Sequence, residues 1–311
     1  MLQPFQNGNG FVYVATGKKY RLEAAEAAAS LRATNPNARI CLVTDCAEGP
    51  TFWDDVVLLE TPAFGFRDKI GMLLCPYERF VYIDTDTLVL GELSEVFTLL
   101  DRFDFAGHQL FEGHDYRPPG VPDIFPDFNS GVMAFRRSPT VERFFERWSG
   151  LYDAFIAKNQ GGYYHYANVG DQQSLRVAMY ESDLRMAVLG PEYNFVPSHV
   201  NFACAPVRIL HARGRPHLIT LGDRINRQLG NRVYLPVMDS IVSAETLPSE
   251  LVRLWSMTSL QILKLLARRV MPLALRNWLR QCRPFCSMFV RNNFSQPEAG
   301  AAEKWRKPPE L

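Results

Sequence analysis

Along the first third of the chain, apolar runs of strand length alternate with stretches whose polar and apolar positions recur at helical spacing. Phe11-Val12-Tyr13-Val14-Ala15 is an apolar run closed by Thr16-Gly17, and the Ala-rich, charge-punctuated stretch Tyr20 to Ala33 has strong helix propensity. Arg39 to Thr44 predicts a second strand, Asp54 to Glu60 a third, Lys69 to Cys75 a short helix stopped by Pro76, and Phe80 to Ile83 a fourth strand. This alternation predicts an α/β fold built on a parallel sheet. Ligands of such sheets sit beyond the carboxyl ends of the strands, where both the turn Ala15 to Tyr20 and an acidic pair after the fourth strand fall. Phe105 to Gln109 and Val132 to Phe135 read as further strands, separated by a Gly/Pro-rich loop from Gly113 to Pro126. Loops of that length inside a compact region are often functional. Thr140 to Ile156 and Asp171 to Glu181 predict helices, and Val207 to Leu210 a late strand leading into His211-Ala212-Arg213-Gly214.

Composition narrows the class. The chain of 311 residues is 47% hydrophobic and 12% aromatic, enough to bury a large core in one large or two smaller units. A formal charge of +1 leaves no footprint for nucleic acid across the whole molecule, so any basic patch has to be local. The cysteines Cys41, Cys46, Cys75, Cys204, Cys282 and Cys286 include no Cys-x-x-Cys pair, and several sit in apolar patterns where a thiol behaves as a small hydrophobe. They predict reduced, structural thiols in a cytoplasmic protein. The N-terminus has no basic segment followed by an apolar run, and no uninterrupted apolar stretch reaches about 18 residues, which argues against secretion and membrane spanning.

The densest chemistry is Tyr82-Ile83-Asp84-Thr85-Asp86. Alternate side chains of an extended backbone share a face, so Asp84 and Asp86 are expected to converge on one cation at the end of a buried strand. Magnesium and manganese favour carboxylate oxygens and share their remaining positions with substrate phosphates, which points to a nucleotide-diphosphate substrate rather than a metal store. One Asp-x-Asp is also what chance places in a chain of about this length, so the surrounding residues have to decide.

Those residues come in a particular order. The series Tyr13-Val14-Ala15-Thr16, Lys69-Ile70, Tyr82 to Thr87, Phe128-Asn129-Ser130-Gly131-Val132, Asp171-Gln172, Glu192-Tyr193-Asn194 and His211-x-x-Gly214 resembles family 8 glycosyltransferases over about residues 10 to 220. The resemblance implies a single GT-A, Rossmann-like domain over residues 1–240. It also implies a nucleotide-sugar donor, in the first instance a UDP-sugar, a requirement for Mn2+ or Mg2+, and retaining transfer of a hexosyl unit to a glycan or lipid-linked saccharide.

Carried over position by position, the resemblance implies Asp84, Asp86 and His211 as metal ligands. Ala15 and Thr16 would line the nucleotide pocket, Tyr20 would stack on the base, and Lys69 and Arg215 would meet the ribose and phosphates. Thr85 and Gly214 would lie against the donor, Asn129, Ser130 and Gly131 would read the sugar, and Asp171 with Gln172 would sit beside the anomeric carbon. Asn194 is a weaker candidate, placed near the acceptor. The family usually continues to a Lys-Pro pair after the glycine, whereas Arg215-Pro216 follows Gly214 directly, two residues sooner. From the residues alone, blander roles stay open. His211 can be a satisfied strand-end histidine, Tyr20 simple packing, Lys69 a solvated surface lysine, Asn129 to Gly131 a turn and Asp171 a helix cap. Asp171 either stabilises an oxocarbenium-like sugar or attacks it; the former is favoured, with the leaving diphosphate assisting deprotonation of the acceptor.

From about Ser240 the character of the chain changes. Between Leu251 and Arg291 stand Arg253, Lys264, Arg268, Arg269, Arg276, Arg280, Arg283 and Arg291 with no Asp or Glu, interleaved with Trp255, Trp278, Phe285 and several leucines. Residues 241–291 therefore predict a basic amphipathic helical extension, either lying on an anionic membrane at the inner face or packed on the core with a solvated basic face. Residues 292–311 have the Pro/Glu/Ala/Lys composition of a disordered tail. Two other function classes are a sugar nucleotidyltransferase and a nucleotide-sugar-binding protein without transfer activity. The former normally shows a Gly-rich, basic phosphate loop after the first strand, for which Thr16-Gly17-Lys18-Lys19 is too short and too poor in Gly.

Overall fold

The computed structural model describes residues 6–47, 52–110, 118, 120–159, 170–228 and 230–243. The expected basic extension and terminal tail, apart from residues 241–243, and part of the expected loop from Gly113 to Pro126 lie outside the described residues. β1 (Gln6–Ala15) runs into α1 (Lys18–Thr34), β2 (Ile40–Thr44) and β3 (Asp55–Leu58). A 3₁₀ helix, Phe66–Leu74, precedes β4 (Tyr77–Ile83), β5 (Thr87–Val89), α2 (Glu95–Leu99) and β6 (Phe105–Gln109). Then come β7 (Phe128–Arg136), α3 (Pro139–Asn159), α4 (Gln172–Glu181), β8 (Met186–Leu189), β9 (Asn201–Ala203) and β10 (Ile209–His211). The described chain closes with α5 (Arg215–Asn226), β11 (Arg232–Leu235) and β12 (Ser240–Ser243).

A seven-stranded sheet in the order β3-β2-β1-β4-β7-β6-β8 forms the centre. β1 is parallel to both β2 and β4, and β3 continues the parallel set, as the alternating pattern predicts. β7 is antiparallel to both of its neighbours, β4 and β6, so the sheet as a whole is mixed rather than parallel. The reversal needs no crossover helix, because an antiparallel strand can return through a loop. β8 pairs parallel to β6 at the far edge.

Period-two alternation of apolar residues covers both faces of the sheet. Val12, Val14, Phe80, Tyr82, Met133 and Phe135 point to one core, where α3 delivers Val141, Phe144, Phe145, Trp148 and Tyr152 at helical spacing. Phe11, Tyr13, Ala15, Val81 and Ile83 point to the other, against Ala24, Ala27, Ala28 and Leu31 of α1. The small alanine side chains let that helix approach the sheet closely. Trp148 is fully buried, and its indole Nε1 donates to Ser174 Oγ at 3.1 Å, tying α3 to the start of α4. Arg176 of α4 is also buried, ion-paired with Asp127 at 2.9 Å and donating to the carbonyl of Phe125 at 2.8 Å, which fixes the segment leading into β7. A third core under α5 packs against a small sheet ordered β12-β11-β9.

Several boundaries differ from expectation for physical reasons. β7 begins at Phe128, four residues ahead of the apolar run, because its polar residues 129 and 130 are buried against partners. Residues 129–131, for which a turn is the alternative to a sugar-reading role, are therefore strand. The late strand ends on His211 rather than before it, held by pairing of His211 opposite Thr87. β12 runs to Ser243, since it completes a ladder with β11. Among the described residues no helix is long and apolar enough to cross a membrane.

Candidate active site

The acidic pair lies at the carboxyl end of β4, in the turn between β4 and β5. Alternation along β4 brings Asp84 back to the face of Tyr82, whose hydroxyl donates to Asp84 Oδ1. Asp86 arrives by the turn and not by strand alternation. Thr87 Oγ1 donates to the Asp84 carbonyl at 2.8 Å, and the Ala212 amide donates to the Asp86 carbonyl at 3.0 Å. The β5–β10 ladder then sets His211 beside both acids: its Nε2 is 3.5 Å from Asp84 Oδ2 and 3.3 Å from Asp86 Oδ1.

One ligand atom from each of Asp84, Asp86 and His211 lies within 4.8 Å of the others. Two carboxylates and an imidazole suit Mn2+ and its neighbours in hardness, so the residues present fit a divalent cation. Burial works against charge on Asp86, yet the hydrogen bond and charge of His211 and the charge of Arg213 draw its pKa down to about 2. Burial likewise disfavours the charged imidazole, but the hydrogen bond to Asp86 and the charges of Asp84 and Asp86 outweigh it and raise the pKa of His211.

Lys69, on the buried face of the 3₁₀ helix, joins this cluster to Asp171. Its Nζ lies 3.1 Å from Asp84 Oδ1, 3.2 Å from Asp171 Oδ2 and 3.0 Å from Ser130 Oγ. With 8% of its side chain exposed it is not a solvated surface lysine. Burial opposes its charge, and the charges of Asp171 and Asp84 reverse that and raise its pKa. Asp171 precedes α4 without making a side-chain cap bond. Its carboxylate turns to Lys69 instead, while its carbonyl accepts from Ser174 Oγ at 2.8 Å. Gln172 opens the same helix and is half-buried.

The opposite wall comes from β7. Ser130 is engaged by Lys69, and the Asp84 amide donates to the Gly131 carbonyl at 2.8 Å. Gly131 has no room for a side chain: a Cβ there would lie 2.0 Å from His211 Cε1 and 2.4 Å from His211 Nδ1. Asn129 Oδ1 accepts from the Gly131 amide at 2.8 Å and from Asn194 Nδ2 at 2.9 Å. Asn194, expected near the acceptor, is fully buried, with its Oδ1 2.9 Å from His211 Nδ1.

The turn after β1 lies nearby. Ala15 and Thr16 are buried, and Thr16 Oγ1 donates to Asp68 Oδ2 at 2.7 Å. The Gly17 amide donates to Asp45 Oδ1 at 2.9 Å, and Arg21 forks onto the same carboxylate. Tyr20 is 38% exposed, with the Arg213 guanidinium 5.9 Å from its ring centroid. Thr85 Oγ1 donates to Glu23 Oε2 at 2.8 Å, linking the acidic turn to α1. Gly214 adopts φ 98°, a left-handed conformation that favours glycine, just ahead of Arg215 and Pro216 in the first turn of α5.

No family model and no curated protein matches the chain. Solved structures that resemble it include three glycosyltransferases. GlyE of Streptococcus pneumoniae TIGR4 is 18% identical with a TM-score of 0.45, the match covering 67% of this chain and 56% of GlyE. The galactosyltransferase LgtC, solved with donor and acceptor sugar analogues, is 14% identical with a TM-score of 0.47, over 78% of this chain and 99% of LgtC. Mouse xyloside xylosyltransferase 1 is 15% identical with a TM-score of 0.43, over 67% of this chain and 99% of that one.

Sequence reasoning passed over several residues that shape the site. Asp45 stands at the carboxyl end of β2, next to the turn after β1, and that position was its signal. Asp68 adjoins Lys69, and Arg213 sits inside the His211 to Gly214 loop with its Nε 3.5 Å from Asp86 Oδ2. Glu23 looks like an ordinary helix residue, and nothing in the linear order marks it.

Proposed function

We propose that the chain is a metal-dependent, retaining glycosyltransferase that moves a hexosyl unit from a nucleotide-sugar, in the first instance a UDP-sugar, to a glycan or lipid-linked saccharide. The observation that carries this reading is the Asp84–Asp86–His211 cluster with Asp171 held against it through the buried Lys69 ammonium. The order of motifs resembling family 8 glycosyltransferases supports it. Asp84, Asp86 and His211 would hold the ion. Once bound, Mn2+ or Mg2+ neutralises the diphosphate and withdraws electron density from its bridging oxygens.

In the reaction the bond from sugar C1 to the β-phosphate oxygen breaks, and its electron pair leaves with the diphosphate. An acceptor hydroxyl bonds to C1, and its proton passes to the departing diphosphate. Asp171 faces the growing positive charge of the oxocarbenium-like sugar, and Gln172 orients that sugar. Lys69 fixes the distance between Asp171 and the metal carboxylate, and Ser130 shares that ammonium. Thr16, Tyr20, Thr85, Gly214 and Arg215 surround the nucleotide. Contact of residues 251–291 with an anionic membrane at the inner face belongs to the same proposal, supported by their charge.

The test is a screen of nucleotide-sugars with the purified full chain and Mn2+, following release of nucleoside diphosphate. Metal-dependent release is expected, and Asp86→Asn should abolish it while leaving the circular dichroism spectrum unchanged. Pyrophosphate as the product, or full metal-dependent turnover by D86N, would overturn the assignment.

A further inference from the structure

His211 has two ring nitrogens, and only Nε2 faces Asp84 and Asp86. Nδ1 lies 2.9 Å from Asn194 Oδ1, and Asn194 Nδ2 lies 2.9 Å from Asn129 Oδ1. Amide oxygen and nitrogen are hard to tell apart by shape, but here the chain of donors settles the direction. The Gly131 amide is a donor and can be nothing else, and it lies 2.8 Å from Asn129 Oδ1. A flipped Asn129 would set N–H against N–H. Asn129 must therefore present an oxygen to both Gly131 and Asn194, Asn194 must present its NH2 to Asn129, and its carbonyl oxygen must face Nδ1. A cation taking the place of the proton that Nε2 otherwise gives to Asp86 would leave the ring with its proton on Nδ1 and its lone pair on Nε2.

We propose that Asn194, set by Asn129 and the Gly131 amide, is the positioning residue that locks His211 in the Nδ1–H tautomer and aims Nε2 at the cation. The proposal rests on the metal reading above. Backbone pairing makes the relay stiff. The His211 amide donates to the Phe195 carbonyl at 2.9 Å and the Phe195 amide to the Ile209 carbonyl at 2.9 Å, so Asn194 is stitched alongside β10. Asn194 is fully buried and Asn129 nearly so, which removes water as a competing partner. Outer partners of this kind set the tautomer and basicity of a metal-binding imidazole, and their loss typically weakens metal affinity roughly 10- to 100-fold.

The experiment uses the full chain in two readouts. Free Mn2+ is followed by electron paramagnetic resonance during titration of wild type, Asn194→Ala, Asn129→Asp and His211→Ala. The tautomer of His211 is read from its 15N ring shifts with saturating Mg2+, with His211→Gln identifying the signal. Wild-type His211 should be the Nδ1–H tautomer. N194A should lose that preference and bind Mn2+ roughly 10- to 100-fold more weakly. N129D, which still offers an oxygen to both donors, should keep the tautomer and bind no more weakly than wild type. If N194A fails to fold, the wild-type tautomer and N129D still decide. An Nε2–H tautomer in wild type overturns the proposal, as does Mn2+ binding that needs His211 but is unchanged in N194A. Wild-type protein that binds no Mn2+ overturns the metal reading and this proposal together.

Discussion

Replacing Gly131 with alanine probes how tightly β7 and His211 are fitted. The added Cβ would stand 2.0 Å from Cε1 and 2.4 Å from Nδ1 of His211, where ordinary contact begins at 3.4 Å. The ring has to retreat by more than an ångström, and it has nowhere easy to go. Asn194 holds its far nitrogen at 2.9 Å, and pairing with β5 holds its backbone. Crowding of this kind costs about 1–3 kcal/mol, which a chain of this size tolerates. The larger effect falls on the site. A misplacement of about 1 Å costs on the order of 10²-fold in turnover, and Mn2+ affinity should fall by at least the roughly 10-fold that follows loss of a supporting hydrogen bond. Circular dichroism, Mn2+ titration and nucleoside diphosphate release measured on one preparation separate these effects. A folded G131A protein with wild-type Mn2+ affinity and wild-type release would refute the claim that His211 is seated against β7.

Two further outcomes concern charge. Lys69→Met leaves Asp84 and Asp171 close together without the cation between them, so stability in urea should drop by about 3 kcal/mol, with Mn2+ restoring part of it. An unchanged denaturation midpoint in metal-free buffer would contradict the bridging role. Asp104 accepts from the Arg185 side chain at 3.0 Å and from the Arg185 backbone amide at 3.1 Å. The Arg185 hydrogen bonds hold its pKa below the usual carboxylate range against the effect of burial. A depressed native pKa adds stability above the unfolded value near pH 4 and loses it as pH falls through the native one. The stability gap between wild type and Asp104→Asn should therefore close on acidification, and a gap independent of pH would exclude that linkage.

Much of this architecture is legible in the linear chain, and the exceptions have physical causes. β1, β2 and β4 announce themselves because parallel strands buried on both faces are continuously apolar, and α3 because its aromatic stripe recurs at helical spacing. Tyr82-Ile83-Asp84 pointed to the right end of the right strand. β5, β9 and β10 are three residues each, too short for any period to show, and they exist only through pairing. The first residues of β7 look like a turn because Asn, Ser and Gly favour turns when nothing holds them. Here Lys69, Asn194 and His211 hold them, from 61 to 80 positions away. Lys69 is set at the donor by the resemblance, but its burial is not legible, since it depends on two acids brought in from separate elements.

The direction of β7 governs how the protein can be made. This strand is synthesised after β6 yet inserts between β6 and β4, so a growing chain holds the apolar edge of β4 open until residue 136 has emerged. An open, apolar strand edge is a template for pairing with another molecule. Fragments ending ahead of β7 carry both acids of the turn together with that bare edge, so they are expected to self-associate before any transfer can be assayed.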